Sequence, residues 1–422
     1  MPPSSAAVQA AIRPVSLDLS PVEVAARLQH LPGLVFFDSA MEPAKAGQIS
    51  VLAAAPSKVL RGDLWQDGGL LRAELAARRG ERADCGVPAG FLAGAVDYEG
   101  RFEFGVYENA LIFQHGQGTW LEVGSLSSRF AEPLETHSLP RLDFTSERTG
   151  EEFCGMVARA QEYIAAGDIY QVNLAHRFTA PLATALEPGQ AFAFYEALRH
   201  YSPAPYAAYL DLGARTVLSS SPECFLDLSG SAIRTRPIKG TRPRRPQAEA
   251  DERSAFDLIT SPKEVAELVM ITDLERNDLG QVCDFGSVVV RELLALERFE
   301  QVFHLVSTVE GRLRAEVDQV AALQACFPGG SITGAPKKRA RQIITELEAR
   351  PRGLYTGALG WLGFNGESRF NITIRTLVLE KAAAHFHVGA GIVADSIPAR
   401  EWQETLDKAA GILLAAERRL AQ

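Results

Sequence analysis

Long apolar runs are missing from this chain, and so is any surplus of basic charge. No uninterrupted apolar stretch in the sequence approaches the ~18 residues that a membrane-crossing helix requires. Lysine and arginine total 43 against 52 aspartates and glutamates, a formal net charge of −9. General affinity for nucleic acid or anionic lipid rewards excess Lys and Arg, so both are excluded as partners. Cysteine is scarce: five residues, an odd number, with no C-x-x-C spacing. That argues against a disulfide scaffold or a zinc ribbon and fits a reducing cytosol. The opening "MPPSSAAVQAAIRP" lacks a basic segment followed by an apolar run, which predicts a disordered stretch over 1–13 and not a signal peptide. The expectation is a soluble, cytoplasmic protein.

What is present is ordinary for a globular protein: 422 residues, 46% hydrophobic and 23% charged, enough to bury a large core. Residues 14–145 read as a β-rich N-terminal subdomain of short strands and turns, and 146–422 as one intertwined catalytic region. Phe153, Val157, Ala160 and Ile164 recur at helical spacing, with Gly167 as a stop. In "DIYQVNLAHRF", Val172, Leu174 and Phe178 share one strand face and Gln171, Asn173 and Arg177 the other. A long helical region covers 249–276, further helices cover 316–327, 336–349 and 398–420, and Arg375 sits on an alternating strand. Consecutive strands without regular helical alternation predict antiparallel pairing with helices outside, an α+β fold.

Two glycine-rich stretches invite a nucleotide reading. "GAGIVA" (389–394) matches G-x-G-x-x-A but lies near the C-terminus, ahead of Pro398, where the glycines do not open the first helix of a βαβ unit. "GGSITGAPKK" (329–338) lacks phosphate-loop spacing. Its glycines fit a backbone N–H cradle for an anion such as a carboxylate, or simply a turn, with Pro336 as the first helical residue.

Carboxylates recur three apart on two predicted helices: Glu264 and Glu267 in "SPKEVAEL", and Glu401 and Glu404 in "REWQETLDKA", followed by Lys408. Residues three and four apart share a helix face. Ser261, Pro262 and Glu264 also fit a capping box, and Glu404 with Lys408 a surface ion pair. Convergence of the two ledges would instead call for a hard divalent cation such as Mg²⁺. The other conspicuous stretch is "RTRPIKGTRPRR" (234–245), where Lys239 is flanked by arginines, among them those at 234, 236, 242 and 244.

The segments "GDIYQVNLAHRF", "SPECFL", "PIKGT", "ELVMITDLERNDLGQVC", "HLVSTVEG", "FPGGSITGAPKKRA", "YTGALGW", "IRTLVLE" and "GAGIVADSIPAREWQETLDKA" run in order across about 165–410. Together they resemble the chorismate-utilising enzymes, a family that includes the anthranilate, aminodeoxychorismate, isochorismate and salicylate synthases. The resemblance implies the anthranilate synthase component I-like fold. It implies Mg²⁺ held by Glu267 and Glu404, with Glu264 and Glu401 behind them. It further implies that Arg375 clamps the enolpyruvyl carboxylate of chorismate, that Tyr355, Gly391, Lys408, Gln171, Thr241 and Thr333 line the substrate site, and that His304 lies beside the ring. Glutamine at 171 replaces the water-activating lysine of the isochorismate branch, so water is not the expected nucleophile. "PIKGT" resembles the aminodeoxychorismate synthase branch, where anthranilate synthases have "PIAGT". Lys239 is then the expected nucleophile, activated by neighbouring positive charge, and Glu223 the general acid. No cysteine sits in a G-x-C-x-G turn, so a separate glutamine amidotransferase subunit is the expected ammonia source. An anthranilate-forming enzyme and an inactive binding subunit are the rival expectations.

Overall fold

Two antiparallel sheets, one of 12 strands and one of 10, carry the described part of the molecule. The computed structural model describes residues 12–40, 48–79, 86–134, 139–300 and 302–417. Strands from both sides of residue 145 enter both sheets. Val35–Asp38 pairs with Tyr206–Asp211 in the larger sheet, and Phe91–Val96 pairs with Ala358–Gly363 in the smaller. The structure is thus α+β with the pairing that the run of strands predicts.

The sheets meet through their apolar faces. Val35, Phe37, Val51, Ala208 and Val217 of one pack with Phe91, Ala93, Leu359 and Trp361 of the other, and the Phe37 and Trp361 rings meet edge-on at 5.1 Å. Helices cover the outer face of the larger sheet. Pro21–Leu28, Pro188–Tyr201 and Pro398–Glu417 bury Leu28, Phe192, Tyr195 and Ile412 against Phe36, Tyr209 and Phe386. Each large side chain so buried contributes roughly 1.5–3 kcal/mol through area removed from water.

Local sequence explains several boundaries. The helix Gly150–Ala165 starts at a capping box between Thr149 and Glu152 and buries Phe153, Val157 and Ala160. It stops where Gly167 takes φ +82°, a conformation glycine adopts without strain. The single helix expected over 249–276 is two, Ala248–Ile259 and Pro262–Gly280. The residue before a proline is driven out of the α region, and Ser261 is extended at ψ 113°.

Other expectations need correction. Pro336 is an extended N-cap, so the helix begins at Lys337. The strand expected through "RFNITIRTLVLE" is interrupted between Ser368–Ile372 and Thr376–Leu379, and Arg375 sits in the break with φ +49°. Of the stretch 1–13, residues 1–11 lie outside the described residues, whereas Arg13 opens a strand and pairs with Glu122 at 2.7 Å. The edge strand Val289–Arg298 was not anticipated. "GAGIVA" closes the strand Ala383–Ile392 instead of opening a helix, which removes the dinucleotide reading.

Candidate active site

Lys239 lies on the strand Ile238–Pro243, opposite Leu305, at a register shift that places Thr241 opposite His304. Gly240 makes the shift possible. It takes φ +75°, and a Cβ there would stand 2.6 Å from Leu258 and 2.8 Å from Glu264. The ammonium of Lys239 donates to the Ser331 carbonyl at 3.0 Å, so the "PIKGT" strand and the "GGSITG" turn face one another. The arginines at 234, 236, 242 and 244 are each committed to a carboxylate. Arg234 pairs with Asp227, Arg236 with Glu297, Arg242 with Glu264 and Arg244 with Asp251. The expectation that arginines activate Lys239 is corrected accordingly. Its charge instead acts on Glu223, Glu267 and Glu404.

Glu223 is buried, and desolvation pushes its carboxyl above the ordinary range, although the Ser331 hydroxyl, Lys239 and the Ile238 N–H favour the anion. A carboxyl of that kind can hold a proton for donation. His304 is 2% exposed, and its Nδ1 meets the Thr241 hydroxyl at 2.9 Å. Burial, with Arg375 nearby, pushes its pKa down to about 3. It is a neutral imidazole at physiological pH. Arg375 makes no side-chain hydrogen bond or ion pair among the described residues, and its charge acts on both Glu223 and His304. A guanidinium left free in this way suits a carboxylate.

The carboxylates divide into two kinds. Glu264 accepts from Arg242 at 2.7 Å and from the Ser261 hydroxyl. Glu401, 2% exposed, accepts from Lys263 at 2.8 Å. Glu267 and Glu404 are less committed. Burial and repulsion from Glu404 and Glu401 push the Glu267 carboxyl upward, against Lys239 and Lys263. For Glu404, burial opposes ionisation, but Lys408, Lys263 and Lys239 outweigh it and hold the carboxyl low. Glu267 Oε1 and Glu401 Oε2 are buried with no hydrogen-bond partner. Among the described residues no group of three or more His, Cys, Asp or Glu side chains is set to hold a metal ion. A Mg²⁺ ion, however, typically takes only one or two carboxylates plus substrate oxygens and water. Unpartnered carboxylate oxygen and mutual repulsion at Glu267 therefore fit a hard divalent cation.

The remaining predicted residues lie around these. Gln171, on the strand Gln171–Pro181, reaches Glu267 Oε2 from Nε2 at 3.4 Å. Gly391, paired with Asn173 on that strand, leaves room for Gln171, because a Cβ there would meet Gln171 Nε2 at 2.5 Å and push that side chain aside. Lys408 bridges the Gly389 carbonyl and Glu404, both at 2.8 Å. The Tyr355 hydroxyl lies over Gly389, and burial lifts its pKa to about 12. Thr333 directs its hydroxyl to Gly329 and Gly330 carbonyls of its own turn, at 3.0 and 3.2 Å.

Three residues escaped sequence reasoning. Glu275 accepts from the Gly330 N–H at 3.0 Å, and burial with Asp278 beside it lifts its pKa to about 8. Arg352 donates to the Ile332 and Asn173 carbonyls at 3.0 and 2.7 Å, fastening the turn to the Gln171 strand. Lys263 was legible, one turn before Glu267 on the same helix.

A family model described as chorismate binding enzyme matches residues 81–414, and the chain belongs to that family. Anthranilate synthase component 1 1 of Haloarcula marismortui is 47% identical over 290 residues, covering 69% of this chain and 58% of that protein. Aminodeoxychorismate synthase component 1 of Bacillus subtilis is 43% identical over 299 residues, covering 71% and 62%. The chain thus spans about six-tenths of the length of these two relatives. Anthranilate synthase component I from Streptococcus pneumoniae superposes with a TM-score of 0.76 at 31% identity, covering 88% of this chain and 93% of that structure. The structure of MenF, an isochorismate synthase from Escherichia coli, shares the fold with a TM-score of 0.76 at 19% identity.

Proposed function

We propose that the chain converts chorismate and ammonia to 4-amino-4-deoxychorismate, as an aminodeoxychorismate synthase component I. The observation that carries the reading is the position of Lys239, an amine whose charge acts on Glu223, Glu267 and Glu404, with the guanidinium of Arg375 also acting on Glu223. Arg375 binds a substrate carboxylate through its fork of N–H donors, while Gln171, Tyr355 and Lys408 bound the ring. Once deprotonated, the Lys239 amine adds to C2 of the ring, the double bonds move from C1=C2 and C5=C6 to C1=C6 and C4=C5, and the C4–O bond breaks. Glu223 gives its proton to the departing hydroxyl, which leaves as water. Ammonia then bonds to C4 and the lysine nitrogen leaves C2, so that chorismate and ammonia yield the amino product and water. Neutral His304 flanks the ring without adding a charge that would compete with Arg375 for the substrate carboxylate.

Mg²⁺ held by Glu267 and Glu404 would supply charge neutralisation for a second substrate carboxylate. Ammonia comes from a glutamine amidotransferase subunit, in keeping with relatives named as component 1. Anthranilate formation is the second reading, favoured by the names of several relatives. Incubation with chorismate, Mg²⁺ and ammonium, followed by product mass and fluorescence, separates the two. Non-aromatic aminodeoxychorismate, together with a chorismate-derived adduct on the Lys239 peptide, is the expected result; fluorescent anthranilate from an enzyme indifferent to Lys239→Ala overturns it.

A further inference from the structure

A second polar cavity opens along the outer edge of the strand Gln171–Pro181. The neighbouring strands there pair only with its ends, Gly334–Ala335 with Gln171 and Val172, and Thr145–Ser146 with Phe178 and Thr179. The chain from Glu348 to Arg352 fills part of the gap, leaving a cavity of about 170 Å³, several times the ~30 Å³ share of one liquid water.

Its lining is cationic. Arg148, Arg177, Arg350 and Arg352 face Glu147 and Glu348, a surplus of two positive charges. Both carboxylates are engaged: Glu348 takes two bonds from Arg352, at 2.6 and 2.9 Å, and Glu147 pairs with Arg350. Donors remain. Arg177 Nε stands 3.5 Å from Glu147 without forming a hydrogen bond, and among the described residues the Arg148 guanidinium makes one bond, from Nη2 to the Glu348 carbonyl at 3.1 Å. His387 is 8% exposed and lines the cavity, and its Nε2 makes no hydrogen bond to protein. Buried polar atoms left without partners are destabilising. A cation is repelled here, and an apolar group would leave those donors unsatisfied.

We propose that this cavity binds a small oxyanion, a phosphate or carboxylate group, held by Arg148 and Arg177 with His387 Nε2 as a third donor. The site touches the walls of the candidate active site. The His387 ring stacks on Tyr355 at 5.2 Å and 17°, and Arg352 bonds the carbonyls of Asn173 and Ile332. An anion here therefore bears on the same side chains that shape the pocket around Gln171 and Gly391.

Calorimetric titration of the full chain with inorganic phosphate tests the assignment. The Arg375→Gln background removes anion binding at the candidate active site. In that background phosphate is expected to bind, and adding Arg177→Gln or, separately, His387→Gln weakens it about tenfold, the loss of one charge-assisted bond. Circular dichroism establishes that each variant is folded, and the His387→Gln arm carries the test should Arg177→Gln fail to fold. Acetate in a parallel arm tells a carboxylate preference from a phosphate one. Absence of binding in the Arg375→Gln background, or binding indifferent to both cavity variants, overturns the proposal and leaves an internal ion-pair network only.

Discussion

The Lys239 ammonium is held by a backbone carbonyl, that of Ser331, at 3.0 Å, and among the described residues by no side-chain hydrogen bond or ion pair. The position of the amine thus depends on the turn Gly330–Ile332, which Glu275 grips at the Gly330 N–H and Arg352 at the Ile332 carbonyl. Ser331→Ala keeps the carbonyl and should leave the Lys239 contact intact. Gly330→Ala should not, because its Cβ would stand 2.6 Å from Leu274 and 3.1 Å from the Glu275 carboxylate. A shift of about 1 Å in a reacting group costs on the order of 10²-fold in rate. Steady-state kcat for the two variants, with circular dichroism as the folding control, should differ by that order.

Glu223 is assigned proton donation, and its environment sets the sign of the pH effect. Desolvation raises its pKa, so the protonated acid persists above the ordinary carboxylate range. Activity limited by this group falls as pH rises through the raised pKa, because the anion has no proton to give. Glu223→Gln should lower kcat by about 10²–10⁴-fold and flatten that alkaline limb. A pH–rate profile of the variant that keeps the limb assigns it to another group.

Much of this architecture is written in short-range patterns. Apolar spacing located the helix carrying Phe153 and Val157, and alternation located the strand with Val172 and Leu174 facing the core. Those signals survive because burial of one face requires them. The rest depends on distant partners. Nothing near Glu264 announces Arg242, which comes from a strand 22 residues away and turns a helix-start carboxylate into an ion-pair member. Arg375 sits in a left-handed conformation that alternation cannot reveal, because tertiary context fixes φ there. Glu275 looks like one more charged helix residue until the turn folds over it.

His176 supplies a prediction about stability. Its ring is 3% exposed and meets the hydroxyls of Ser146 and Thr405, both at 2.9 Å, and burial with Arg148 nearby lowers its pKa to about 4. The unfolded chain titrates this group near ~6.5. Between those values the unfolded state binds the extra proton, so the contribution is full above about pH 6.5 and is lost as pH falls toward 4. The advantage of the parent over His176→Gln should shrink by about 1.4 kcal/mol per pH unit over that window. Urea unfolding of both proteins at several pH values measures it, and a pH-independent difference would contradict the assignment.

The last prediction concerns Glu267 and its neighbours. Its Oε1 has no partner, its carboxyl is pushed upward by burial and by Glu404, and Gln171 Nε2 reaches its other oxygen at 3.4 Å. Like charges brought together and left short of donors raise affinity for a cation that would relieve both problems. Glu267→Gln removes one charge and supplies a donor at the same place. Mg²⁺ binding, read by calorimetry without substrate, should weaken by about tenfold or more. The same change should stabilise the metal-free fold, because a neutral amide avoids the cost of burying a charge, which outweighs the attraction of Lys239 and Lys263 that is lost. Gly391→Ala acts on the neighbouring wall: its Cβ would crowd Gln171 Nε2 at 2.5 Å but come only to ordinary contact distance, 3.7 Å, of Glu267 Oε2. It should raise KM for chorismate while leaving metal affinity near that of the parent. If Glu267→Gln and Gly391→Ala weaken Mg²⁺ equally, the carboxylate is not the ligand.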